Sequence, residues 1–111
     1  MTYCFDIDNT ICITEGFGPD CYKDSEPDVD RISLVNDLYD EGHTIFFLTA
    51  RGMGRTNNNQ QEAHKELYTY TKNQLDSWNV KYHQLFLGKP CADLFVDDRG
   101  CLDTDFFSPM I

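Results

Sequence analysis

Residues 3–12 read YCFDIDNTIC, and the stretch changes character half-way. Tyr3, Cys4 and Phe5 are apolar and suit a buried strand, whereas Asp6, Asp8 and Thr10 then fall at every second position. Carboxylates that close repel unless a cation or a shared proton intervenes. An apolar strand that ends on two of them needs compensation from elsewhere in the chain.

Three further apolar runs have the same form: TIFFL at 44–48, QLFL at 84–87 and LFV at 94–96. None alternates cleanly, as expected of strands covered on both faces. Two helical patterns separate the first three runs. In residues 28–41, Ile32, Val35, Leu38 and Tyr39 recur at helical spacing, with Asp28 suited to the N-cap and Gly42 to the stop. In residues 60–78, Ala63, Leu67, Thr71, Leu75 and Trp78 mark one face. Strand–helix–strand–helix–strand order predicts right-handed crossovers and a parallel sheet. The expectation is an α/β chain: a Rossmann-like open sheet of four to five mostly parallel strands flanked by helices.

Two polar stretches, 14–27 and 52–59, read as surface loops too short to hold an inserted cap domain. Only residues 88–93 separate the third and fourth runs, fewer than the dozen or so that a parallel crossover takes. Either a single helical turn bridges them or a boundary lies elsewhere.

Each apolar run is followed by chemistry. The first leads to Asp6, Asp8 and Thr10, the second to Thr49 and Arg51 (FLTARG), the third to Lys89 (FLGKP) and the fourth to Asp97, Asp98 and Arg99 (FVDDRG). In an open parallel sheet all of these ends share one rim, where ligands of such folds bind. Acids from the first and fourth runs make an oxygen-lined site suited to Mg²⁺, a hard cation that takes a few carboxylates and keeps several waters. Lys89, Thr49 and backbone N–H groups would then cover the oxygens of a phosphoryl group.

These residues carry a resemblance. Asp6-Ile7-Asp8-Asn9-Thr10, Thr49, Lys89 and Asp97-Asp98 match, in order, the four motifs of the haloacid dehalogenase superfamily. GKPCADLFVDDRG is similar to the small capless phosphatases found with capsule and lipopolysaccharide biosynthesis genes. A D-x-D-x-T alone arises by chance in on the order of one chain in a hundred; four motifs in order are far more specific. The resemblance implies that Asp6 is a nucleophile forming an aspartyl-phosphate and that Asp8 is the general acid and then base. It implies that Thr49 and Lys89 bind phosphate, and that Asp6, Asp8 (through its carbonyl), Asp98 and Asp97 serve a Mg²⁺ ion; Arg51, by its place after the second run, sits close enough to the rim to contact phosphate or substrate. Asn9 and Thr10 would support the turn; relatives often carry glycine where Asn9 stands, and Asn tolerates a left-handed backbone. It further implies a sugar phosphate or small polyol phosphate as substrate, and a homo-oligomer or a loop to cover the open rim.

Bulk properties bound this reading. The 111 residues make a single domain spanning 1–111, with mean hydropathy −0.50. No apolar run approaches the ~20 residues of a membrane helix, and residues 1–10 lack the marks of a signal peptide, so a cytoplasmic protein is expected. Five cysteines (Cys4, Cys12, Cys21, Cys91, Cys101) without C-x-x-C spacing read as reduced thiols. A net charge of −10 argues against nucleic acid and anionic membranes as partners and leaves a small phosphorylated metabolite.

Plainer assignments stand beside these. Asp8 and Thr10 suit a turn, Thr49 a strand end, residues 97–100 an acidic turn, and Arg55 or Arg51 a solvated loop. His43, His64 and His83 read as structural or surface residues, and Trp78, Tyr68 and Tyr70 as packing. Competing functions are a polynucleotide 3′-phosphatase, a phospho-signalling receiver (disfavoured by Asp8) and a non-catalytic interaction domain.

Overall fold

The computed structural model describes residues 1–16, 18 and 20–110. Strand β1 (Thr2–Phe5) runs into the acidic turn. A short antiparallel pair, β2 (Cys12–Ile13) and β3 (Glu26–Pro27), then brackets a 3-10 turn at Cys21–Asp24. Helix α1 (Val29–Asp40), strand β4 (Thr44–Thr49), helix α2 (Gln60–Ser77), strand β5 (Gln84–Leu87) and helix α3 (Asp103–Phe107) follow. The main sheet has three strands in the order β1-β4-β5, both pairs parallel. Register places Phe5 opposite Phe47 and Thr49 opposite Leu87, so the carboxyl ends of all three strands reach one edge.

Local chemistry sets the element ends where the sequence reading put them, within a residue or two. Asp28 caps α1 by accepting from the Arg31 N–H at 3.1 Å, and Gly42 takes φ +96° after the helix. Asn59 caps α2 by accepting from the Glu62 N–H at 3.0 Å, and Asn79, at φ +58°, turns the chain away after it. The core joins Phe5 and Ile7 to Ile45 and Phe47 of β4, Ile32 and Val35 of α1, Leu75 of α2, Leu85 of β5 and Phe107 of α3.

Two expectations are corrected. In β4, Ile45, Phe47 and Thr49 are buried while Thr44, Phe46 and Leu48 are half-buried, so the strand alternates. One sheet face packs the helices, and the other stays partly open, with Phe86 exposed on β5. The expected fourth strand at 94–96 does not form among the described residues; Leu94, Phe95 and Val96 are 78%, 51% and 86% exposed. The physical reason is the six-residue link 88–93, too short for a crossover that would lay the segment parallel to the sheet.

Among the described residues no helix is long and apolar enough to cross a membrane. Because Phe47 is wholly enclosed, tilted against Phe5 and edge-on to Tyr82, Phe47→Ala is expected to cost about 3–5 kcal/mol. Urea unfolding followed by circular dichroism measures it.

Candidate active site

The turn after β1 is built by one carbonyl. Ile7, fully buried, accepts from the backbone N–H groups of both Thr10 and Ile11 at 3.0 Å. Asn9 takes the left-handed conformation at φ +61°, and its side-chain oxygen accepts from the Thr14 N–H at 3.2 Å. With Ile7 anchored inward, Asp6 and Asp8 on either side project toward the strand ends. Thr10 donates to Asp6 at 3.5 Å, and its carbonyl accepts from Arg31, which also pairs with Asp103 of α3 at 2.6 Å.

The two acids are compensated by two different cations. Arg51, just past β4, has its side chain wholly buried and donates in fork fashion to Asp8: Nε to Oδ2 at 3.0 Å and Nη2 to Oδ1 at 2.9 Å. Such a bidentate pair is strong and directional. Its other face lies 4.5 Å from the Tyr22 ring centroid, and Nη1 reaches the Thr71 hydroxyl at 3.5 Å. Asp6 has the looser partner. Lys89 Nζ stands 3.9 Å from Asp6 Oδ1, and also 4.6 Å from the Phe95 ring centroid. Burial pushes the Asp6 carboxyl above its ordinary 3.8; Lys89 and the Ile7 N–H offset that only in part.

Thr49 is buried, its hydroxyl accepting from the Arg51 N–H at 3.1 Å and its carbonyl from the Lys89 N–H at 3.2 Å. Asp6, Asp8, Thr10, Thr49, Arg51 and Lys89 thus meet at the rim. Arg51 is spent on Asp8 rather than left at the surface for a ligand. Asp97 and Asp98 stay apart: both are exposed, Asp97 accepts from the N–H groups of Arg99 and Gly100 at 2.6 Å, and Asp98 lies 3.9 Å from Arg99. Those turn bonds hold the Asp97 carboxyl below its usual range. Among the described residues no three His, Cys, Asp or Glu side chains gather as a metal-binding group, so the four-acid set is not assembled in this arrangement. Asp6, half-buried and incompletely compensated, is the acid whose charge a divalent cation would relieve.

Sequence reasoning left Thr14, Tyr22 and Ser25 in a loop, whose positions 17 and 19 lie outside the described residues. Thr14 donates to Asp8 Oδ1 at 2.6 Å and shares a 2.7 Å bond with Ser25. The Tyr22 carbonyl accepts from Gln74 of α2 at 2.7 Å. Ile11 and Cys12 are both buried and Ile13 is exposed, so this short stretch shows no period by which the sequence could have revealed it.

No family model matches this chain, and no curated protein does. Among solved structures, the crystal structure of an MCSG target from Vibrio cholerae superposes with TM-score 0.82 at 25% identity, over 96% of this chain and 87% of that one. The likeness is one of fold: an α/β domain with a parallel sheet.

The Arg51–Asp8 pair can be tested without reference to activity. Arg51→Met should destabilise by about 1–3 kcal/mol, because it takes the bidentate partner from a carboxylate that is four-fifths buried. Arg51→Met with Asp8→Leu should recover much of that loss, and a double-mutant cycle by urea unfolding reads the coupling.

Proposed function

We propose that this chain is a Mg²⁺-dependent phosphomonoester hydrolase of the haloacid dehalogenase type, working through an aspartyl-phosphate on Asp6. A sugar phosphate or small polyol phosphate is its substrate, drawn from cytoplasmic metabolites. The observation that carries the reading is the approach of Lys89 to Asp6, at 3.9 Å, where three parallel strands end. A carboxylate with one flexible cation and a half-open side suits a nucleophile for a phosphate dianion, whereas Arg51 and Thr14 fix the orientation of Asp8 beside it.

In this reading an Asp6 carboxylate oxygen attacks phosphorus as the bond from phosphorus to the ester oxygen breaks, and the departing oxygen takes a proton from Asp8. Water, giving its proton back to Asp8, then attacks the phosphorus of the acyl phosphate and releases inorganic phosphate and the Asp6 carboxylate. Lys89 compensates charge on the transferring group. Thr49, whose oxygen already accepts from the Arg51 N–H, keeps its own hydroxyl proton to donate to a phosphate oxygen. Arg51 acts through Asp8, fixing the plane of its carboxylate. Mg²⁺, when bound, would compensate charge on Asp6 and on the phosphate; the Asp6 carboxylate and the Asp8 backbone carbonyl would hold it, and Asp98 and Asp97 would join them only after the 97–100 turn moved. A second copy of the chain would cover the rim.

A non-catalytic α/β interaction domain is the second reading, and the exposure of Asp97 and Asp98, bonded within their own turn instead of gathered with Asp6, favours it. A polynucleotide 3′-phosphatase is disfavoured by the net charge of −10, since binding nucleic acid depends on neutralising its phosphates.

Asp6→Asn should lower hydrolysis of p-nitrophenyl phosphate by roughly 10³-fold or more. It should leave stability equal or higher at neutral pH. The sign follows from the raised carboxyl: the folded state favours protonated Asp6, so ionisation as pH rises through its folded value costs stability, and Asn removes that cost. In the metal-free protein the Asp6 carboxyl should therefore titrate above its ordinary 3.8, read from carboxyl chemical shifts across a pH series. Chelation with EDTA should stop turnover and added Mg²⁺ restore it; activity indifferent to both would remove the metal from the reading.

A further inference from the structure

Thr10 is tied to three partners, and one of them comes from outside the acidic turn. Its N–H donates to the Ile7 carbonyl, its hydroxyl donates to Asp6 Oδ2 at 3.5 Å, and its carbonyl accepts from Arg31 Nη1 at 2.9 Å. Arg31 stands in the first turn of α1 and is itself held by several neighbours. Asp28 accepts from its N–H at 3.1 Å and lies 3.7 Å from Nε, and Asp103 of α3 pairs with Nη1 at 2.6 Å. The guanidinium carbon sits 4.6 Å from the centroid of the buried Phe107 ring. A planar guanidinium with those fixed neighbours is pre-organised, and it presents Nη1 to the turn that carries Asp6. The next carbonyl, that of Ile11, accepts from the Asp28 N–H at 2.9 Å, so the opening of α1 is bonded to two successive peptide units of that turn.

The bond from Thr10 to Asp6 lies at the far limit for a hydroxyl donor, whose usual reach is about 2.5–3.0 Å. A small displacement of Thr10 therefore decides whether Asp6 Oδ2 is held or free to turn. The bond to Ile7 fixes only the N–H side of Thr10, and Arg31 fixes its carbonyl side. We propose that Arg31 is a positioning residue for the nucleophile: by holding the Thr10 carbonyl it keeps the Thr10 hydroxyl against Asp6 Oδ2, with Asp103 and Phe107 of α3 orienting its guanidinium. Arg51 orients Asp8 directly, so each acid has an arginine of its own. The inference rests on the phosphomonoesterase reading and adds to it a residue that touches neither substrate nor metal. A cavity of about 290 Å³, lined by Asp28, Asp30, Arg31, Phe107 and Ser108, adjoins the guanidinium. Without Arg31, water entering from that side would satisfy the Thr10 carbonyl and leave its position unset.

With p-nitrophenyl phosphate and Mg²⁺, Arg31→Met should lower kcat by roughly 10-fold and leave KM unchanged, as expected when a reacting group is misplaced and binding is not. Arg31→Lys, which keeps a charged donor for the Thr10 carbonyl and Asp103, should stay within about 3-fold of the parent in kcat. Thr10→Val should lose as much as Arg31→Met, and the double variant should lose no more than either, because both act on one hydrogen bond. An arginine that served only the fold would lower the unfolding midpoint and leave kcat of the folded protein intact. An unchanged kcat in Arg31→Met, a loss that falls on KM instead, or additive losses in the double variant overturns the inference. A second measurement needs no turnover: carbon-13 NMR of the aspartate carboxyls at one neutral pH in the metal-free protein. Arg31→Met and Thr10→Val should move the Asp6 resonance alike, and the Asp8 resonance, set by Arg51 and Thr14, should stay in place. That pattern in a parent protein without hydrolysis would sink the phosphatase reading and leave the Arg31–Thr10–Asp6 linkage standing. An Asp6 resonance that ignores Arg31→Met would sink the linkage, whatever the hydrolysis.

Discussion

Arg51 enters a region from which water is almost absent, and it brings a charge that cannot be shed. Asp8 resolves that cost, and in doing so fixes much of the rim. The guanidinium leaves the end of β4, meets an acid from the turn after β1, touches Thr71 of α2 and lies under Tyr22 of the 3-10 turn. Four segments remote in sequence are thereby set against one another. Removing Asp8 would leave the wholly buried Arg51 without its counter-charge, the costlier of the two losses.

The same pairing distinguishes the two acids that the sequence presents as equals. Asp8 has Oδ1 engaged by Arg51 and Thr14 and Oδ2 by Arg51, so its orientation is settled before any ligand arrives. Asp6 has a lysine at 3.9 Å, a long bond from Thr10 and the Ile7 N–H. One carboxylate is part of the frame, and the other is poised for exchange of partners. Division of labour between neighbouring acids follows from what each touches.

The long elements were legible because their causes are local. Ile32, Val35 and Leu75 repeat at helical spacing, Asp28 caps its helix, and the apolar runs at 44–48 and 84–87 do form parallel strands. The acids, Thr49 and Lys89 reach one edge because strand polarity alone puts them there. The rest depended on contacts between distant segments. An arginine beside a strand end can turn outward or inward; Thr71, Tyr22 and Asp8 together decide it, and no short stretch holds all three. The pair β2 and β3, with two residues each, is too brief to show a period, and α3, with five, shows little more. The run at 94–96 has the composition of a strand but lacks the connecting length to become one in this arrangement.

That last run has a colloidal consequence. Leu94 and Val96 stand in solvent on either side of the half-exposed Phe95, and among the described residues β1 and β5 each pair on one side of the main sheet only. Segments of that kind attract their like in neighbouring molecules. What holds molecules apart is the net charge of −10, a long-range repulsion that counter-ions attenuate over about 8 Å at physiological ionic strength. Solubility of this protein is thus an ionic-strength property: dilute buffer keeps it dispersed, and concentrated salt uncovers the stickiness of three side chains.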